Sequence, residues 1–186
     1  MDTVAEWNPT AFRRIMGLFV TGVTVVAVDV PEGVHGMTAN AVASVSLDPM
    51  LVLVCVDRRA RMHEQLAVGR VYSINILRED QEPLSRYFAG RWPQTAPPEF
   101  HFHRWEHGPL LVGALATLGC QMERLLEGGD HTIVLGRVTG LHQGETGRPL
   151  TFFGGRYRHL REPDEYVGPP ADEWTHESVR IYYDET

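Results

Sequence analysis

Gly36-Met37-Thr38-Ala39-Asn40-Ala41-Val42-Ala43-Ser44-Val45-Ser46-Leu47-Asp48-Pro49 is the stretch on which the reading turns. It mixes small residues, hydroxyls and one amide, then stops at Asp48-Pro49 before an unbroken apolar run, Met50 to Val56. A strand that only filled a core would carry larger side chains. Here Thr38, Asn40, Ser44 and Ser46 stand among alanines, so backbone N–H groups and hydroxyls lie open to a polar ligand edge or a phosphate. A partly solvated strand with good β-former spacing accounts for the same residues.

Working outward, Phe19 to Val28 is dense in β-branched residues and reads as a strand buried on both faces, and Leu51 to Val56 as another. Before them, Asn8-Pro9-Thr10 reads as a helix cap with proline in the first turn, the helix running to about Gly17. Beyond them, Met62 and Leu66 stand one turn apart and Gly69 can end a helix, so a helix is predicted over 58–68. Val71 to Leu77 alternates as a strand, and Asp80 caps a short helix from Gln81 to Phe88.

Residues 90–109 combine prolines, aromatic rings and three histidines, an irregular excursion that packs on something. Ala114–Leu126 and Thr132–His142 form a hairpin about Glu127-Gly128-Gly129-Asp130, and Pro149–Phe153 with Arg156–Leu160 form a last one about Gly154-Gly155. Residues 161–186, acidic and proline-bearing, read as an arm on a domain spanning 1–160. Roughly seven or eight strands with two or three short helices argue a mostly antiparallel barrel or sandwich. No glycine fingerprint follows a strand, so a Rossmann domain is not supported.

Composition narrows the function classes. At 186 residues the chain has room for one real core, and 43% hydrophobic with 22% charged residues is the balance of a globular domain. A net charge of −7 without a basic stripe disfavours nucleic acid. No opening signal segment and no spanning apolar run are present, and Cys55 and Cys120 in apolar runs read as buried free thiols, so a cytoplasmic protein is expected.

The order of motifs TGVTVVAV, GMTANAVASVSLDPMLVLVCVD, GRVYSINIL, LSRYFAG, GGDHTIVLGRV and FFGGRYR resembles the short-chain flavin reductase family, the reductase component of two-component flavin-dependent monooxygenases. The resemblance covers about residues 9–160. It implies an antiparallel, Greek-key split β-barrel with a few short flanking helices, usually a homodimer. The implied reaction is hydride transfer from NADH or NADPH to FAD or FMN, the reduced flavin leaving for a separate oxygenase. Carried over by position, it sets the flavin ring against Gly36, Met37, Thr38, Asn40 and Ala41, with Ser44 and Ser46 near the ribityl chain.

The phosphate end is implied along Cys55, Val56, Asp57, Arg58, Arg59, Ala60, Arg61 and Met62, where a helix start and three arginines would attract an anion. The family often has a hydroxyl residue where Ala60 and Met62 stand; here the arginines and backbone take that contact. His131 is implied beside the nicotinamide and flavin as the catalytic residue, hydrogen bonding to the dinucleotide or to developing charge. Phe153, Arg156 and Tyr157, with His131, are implied as nicotinamide contacts. NADH and FAD are the expected pair, with NADPH and FMN as alternatives.

Other constellations carry less. His101, His103 and His107 have metal-like spacing but no joining cysteine or carboxylate cluster, so no metal is expected. Asp57 or Glu64 with His63 reads as well as solvated charge, and no nucleophile elbow supports hydrolysis. A flavin carrier without catalysis on the same barrel is the competing function, using Thr38 to Ser46 but not His131 or the Arg156-Tyr157 rim.

Overall fold

The computed structural model describes residues 7–160; the expected arm over 161–186 lies outside them. The Asn8 side chain accepts the Ala11 N–H at 2.9 Å, and with Pro9 in the first turn it starts α1 (Pro9–Met16). Only Ala11 of this helix is buried. Phe19 and Val20, expected in a buried strand, are exposed instead. The Leu18 and Phe19 N–H groups bond back to Ile15 and Met16, which extends the helical turn. Strand pairing begins only at β1 (Thr21–Gly22) and β2 (Thr24–Val30), where Thr24 to Val28 are buried as a two-faced strand must be.

The organising stretch becomes two strands, β3 (Gly33–Ala39) and β4 (Val42–Leu47), parted at Asn40-Ala41. Then come β5 (Met50–Asp57), β6 (Val71–Ile76), α2 (Glu82–Phe88), β7 (Phe102–His103), β8 (Leu110–Leu111), β9 (Ala116–Gly128), β10 (His131–Gln143), β11 (Thr151–Phe153) and β12 (Arg156–Arg158). Seven strands form one antiparallel sheet in the order β3-β2-β6-β9-β10-β5-β4. Its two edges are therefore consecutive in the chain. The sheet curls until they approach, and the Cys55 N–H donates to Ala41 C=O at 3.1 Å where the chain crosses. This is the split barrel, and the long β9–β10 ladder is its backbone.

Alternation along the strands fills two cores. Val26, Val28, Val54, Val56, Tyr72, Ile74, Met122 and Val134 fill the barrel, each such aliphatic chain contributing about 1.5–3 kcal/mol. Val23, Val25, Leu77, Leu84 and Leu150 form the second core outside it, under Phe88, Phe100, Phe102 and Phe152. Excursion 90–109 supplies two of those rings and the unexpected β7, which pairs with β8 just beyond it. The Trp105 and His107 rings meet edge to face at 4.9 Å. Among the described residues, no three His, Cys, Asp or Glu converge on a metal geometry. Cys55 and Cys120 form no disulfide; Cys120 is buried, and that burial pushes its thiol up to about 12.

Two helix expectations need correction. Residues 58–68 hold no α-helix, only a 3₁₀ turn, Arg61–Gln65. The Asp57 carboxylate accepts the Arg59 N–H at 2.8 Å, and Ala60 N–H closes onto Asp57 C=O, so a tight turn leaves Ala60 extended where a helix would begin. Nor does Asp80 cap α2: its carboxylate is turned onto Arg78 at 2.7 Å.

Candidate functional site

A cleft of about 1140 Å³ lies outside the barrel, between β3, the 60–62 turn, α2 and the β11–β12 hairpin. β3 supplies one wall with His35, Gly36, Met37 and Thr38, and Asn40 stands just beyond. Ala60, Arg61 and Met62 form one end, while Arg156 and Tyr157 come from the hairpin. Gly154 and Gly155, at φ of 60° and 75°, make that hairpin's two-residue turn, a backbone shape glycine takes without strain.

The walls are bonded to one another. The Thr38 hydroxyl donates to Ser85 C=O at 2.7 Å, so β3 holds α2. Ser85 Oγ and the Tyr157 hydroxyl share a hydrogen bond at 2.8 Å, so α2 holds the hairpin. The Arg86 guanidinium covers the Tyr157 ring, 5.0 Å from its centroid, and Phe152 meets the same ring edge-on at 5.4 Å. What approaches Gly36 is the ring of Phe88. A Cβ there would sit 2.6 Å from Phe88 Cδ1, so the small residue admits a neighbouring side chain of α2.

Charge sets the cleft apart from the rest of the surface. Arg61, Arg86, Arg91 and Arg156 line it against Glu82 alone, in a chain whose net charge is −7. Burial, then the Arg61 charge, lowers the His35 pKa, which favours the neutral imidazole. Met37, Tyr87, Phe88 and Phe100 add apolar surface. A planar aromatic ring bearing phosphates matches that mixture, since guanidinium forks take phosphate oxygens and the apolar wall takes the ring.

The remaining sequence-derived candidates stand elsewhere. Ser44 and Ser46 lie on β4, the far edge of the sheet. Val56 is fully buried in the barrel, Cys55 pairs with Ile133 across β5 and β10, and Phe153 sits partly exposed on β11. Ala41 acts through its backbone at the crossover. Asp57, Arg58, Arg59 and His131 gather where β5 meets the β9–β10 turn, outside the lining of the cleft.

There Arg59 grips Asp57 through Nε at 3.1 Å and Nη2 at 2.8 Å, holding that carboxyl below the usual range. Arg58 faces Glu127 at 3.6 Å. His131 Nδ1 meets Asp130 Oδ1 at 2.7 Å, a bond that lowers the Asp130 pKa. Sequence reasoning missed the contribution of α2: Glu82, Ser85 and Arg86 line the cleft. The motif LSRYFAG carried that signal, and only its contacts reveal it.

The fold and this cleft have counterparts. Residues 16–161 match the flavin reductase like domain, and the chain belongs to that family. It is 43% identical to an NADH-dependent flavin reductase of a Rhodococcus species over 83% of this chain and 88% of the relative. It is 40% identical to the reductase component of 4-hydroxyphenylacetate 3-monooxygenase from Thermus thermophilus, over 82% of this chain and 97% of the relative. The solved Streptomyces globisporus NADH:FAD oxidoreductase, in complex with NAD and FAD fragments, superposes with a TM-score of 0.78 at 37% identity, covering 89% of this chain and 100% of that one.

Proposed function

We propose that the protein is an NADH-dependent flavin reductase that reduces FAD, with FMN as the alternative acceptor, and delivers reduced flavin to a separate monooxygenase component. The observation that carries this is the single cleft joining Gly36–Thr38, Asn40, Ala60–Met62 and Arg156–Tyr157 under four arginines, in a chain of this family. The named activities of the Rhodococcus and Thermus relatives and the NAD and FAD fragments in the Streptomyces structure support it. Bound flavin supplies the acceptor, its N5, for hydride from nicotinamide C4.

The chain's own residues bind and orient. Arg61 and Arg156 offset phosphate charge from two walls, Met37 and Phe88 offer an apolar face, and Asn40 and the Thr38 backbone face a polar ring edge. The bond to Ser85 holds Tyr157 at one setting for the nicotinamide. His131, oriented by Asp130, serves as a hydrogen-bonding group to the dinucleotide. A product that must leave calls for modest affinity, micromolar binding being about 8 kcal/mol.

The working unit in this reading is a homodimer. Phe12, Ile15 and Met16 of α1, continued by Leu18, Phe19 and Val20, form an exposed apolar surface suited to a second copy of the chain. The unbonded thiols support a cytoplasmic setting. NADH oxidation followed with FAD, FMN or no added flavin tests the activity, with NADPH in parallel. Turnover that requires added flavin is expected; flavin binding without NADH oxidation would make the protein a carrier.

A further inference from the structure

The net charge of −7 is not spread evenly along the chain. Residues 161–186 hold eight aspartates and glutamates against two arginines, Arg161 and Arg180, and so carry −6 of it, leaving −1 for residues 1–160. The match to the family stops at residue 161, where this acidic segment begins. Its acids stand beside aromatic rings, as in Asp172-Glu173-Trp174 and Tyr182-Tyr183-Asp184-Glu185. Carboxylates meet a guanidinium fork as phosphates do, and an aromatic ring suits an apolar wall. The cleft presents both partners. Arg61, Arg91 and Arg156 are unpaired among the described residues, and Met37, Phe88 and Phe100 line the same space.

Connectivity starts the segment at the cleft. Arg156 and Tyr157 of β12 line it, and Arg161 follows Tyr157 by only four residues. The 17 residues from Tyr157 to Trp174 have a contour of at most about 60 Å, more than enough to turn back. A group tethered beside its site acts at an effective concentration on the order of millimolar, so even weak contacts compete. We propose that the acidic segment 161–186 docks in the arginine-lined cleft of its own chain, with Asp172, Glu173 and Trp174 taking the place of a phosphate-bearing ring. The docking follows from charge and connectivity; its competition with a dinucleotide rests on reading the cleft as a dinucleotide site.

The test uses the full chain labelled with fluorotryptophan and read by fluorine NMR, the Trp174 resonance being assigned by its loss in Trp174→Phe. Without ligand, Arg61→Ala/Arg156→Ala is expected to move that resonance, and circular dichroism checks that the variant keeps its fold. Salt at about 1 M, which screens the contact without any substitution, should move the wild-type resonance likewise. Saturating FAD or NADH should do the same by displacement. A Trp174 resonance indifferent to the arginine variant and to salt overturns the inference. Labelled wild type equilibrated with an excess of unlabelled Arg61→Ala/Arg156→Ala chain should keep its resonance; movement would give the segment to a second copy and overturn docking within one chain.

Fluorescence titration with FAD reads the competition. Asp172→Asn/Glu173→Gln is expected to tighten binding about fivefold, the gain from freeing a cleft that is occupied about 80% of the time. Glu32→Gln/Asp48→Asn removes the same charge from exposed positions outside the cleft lining and should change binding less than about twofold. Equal changes in the two variants would reduce the effect to long-range charge and overturn the competition. A resonance that responds to the arginine variant and to salt, in a protein that binds neither FAD nor NADH, would uphold the docking and remove the dinucleotide reading.

Discussion

Two arginine-bearing regions of this protein look alike in sequence and differ in the fold. In the cleft, Arg61, Arg91 and Arg156 face open space without carboxylate partners among the described residues. At the junction of β5 with the β9–β10 turn, Arg59 is locked onto Asp57 and Arg58 is turned toward Glu127, with His131 tied to Asp130. Arg58, Arg59 and Arg61 are neighbours in the chain, yet the tight turn at Asp57–Ala60 sends them to different regions. Positive charge in a sequence is therefore a weak guide to anion binding. What decides is whether a local carboxylate reaches the guanidinium before a ligand does.

Three tests would break or sharpen that contrast. The largest effect is expected from Gly36→Ala, which drives a methyl into the Phe88 ring and so pushes α2 from the cleft. A loss of about 2 kcal/mol, or about 6 °C in melting temperature, is expected in a calorimetric scan. An unchanged melting point would show that the ring has room to retreat. Next is His131→Ala, expected to slow flavin reduction in stopped flow about tenfold while flavin affinity holds within about twofold, the loss of one hydrogen bond to a charged group. Unchanged reduction would remove His131 from the mechanism and leave the junction a purely structural region.

The smallest effect separates the two arginine sets directly. Arg61→Ala is expected to weaken ligand binding about fivefold by titration, and Arg59→Ala less than twofold, because its partner already neutralises it. Equal losses would erase the distinction between the regions.

Much of the fold was legible beforehand. Mostly β structure, the β9–β10 hairpin and the Gly154-Gly155 turn follow from local signals: β-branched density, alternation and glycines at positive φ. The failures also have local causes. The spacing of Met62 and Leu66 imitates a helix because both pack on the barrel core, Met62 fully buried, from a single 3₁₀ turn. Phe19 and Val20 imitate a buried strand because β-branched and aromatic residues equally suit an exposed apolar surface.

The site divides in the same way. Gly36, Met37, Thr38, Asn40 and Arg156-Tyr157 could be named from the chain, and each lies in the cleft. Ser44 and Ser46 share the composition of β3 but fall on the opposite sheet edge, since after Asn40 and Ala41 the chain leaves β3, which pairs with β2, and pairs as β4 with β5. The contribution of α2 depends on a hydrogen bond between Thr38 and Ser85, forty-seven residues apart, which no local pattern announces. By itself the sequence determined the strands, their turns and the chemical character of the ligand wall, because those depend on near neighbours. Only the tertiary structure decided which arginines stay free, what fills the space over Gly36 and which strands share a face, because those depend on contacts between residues far apart in the chain.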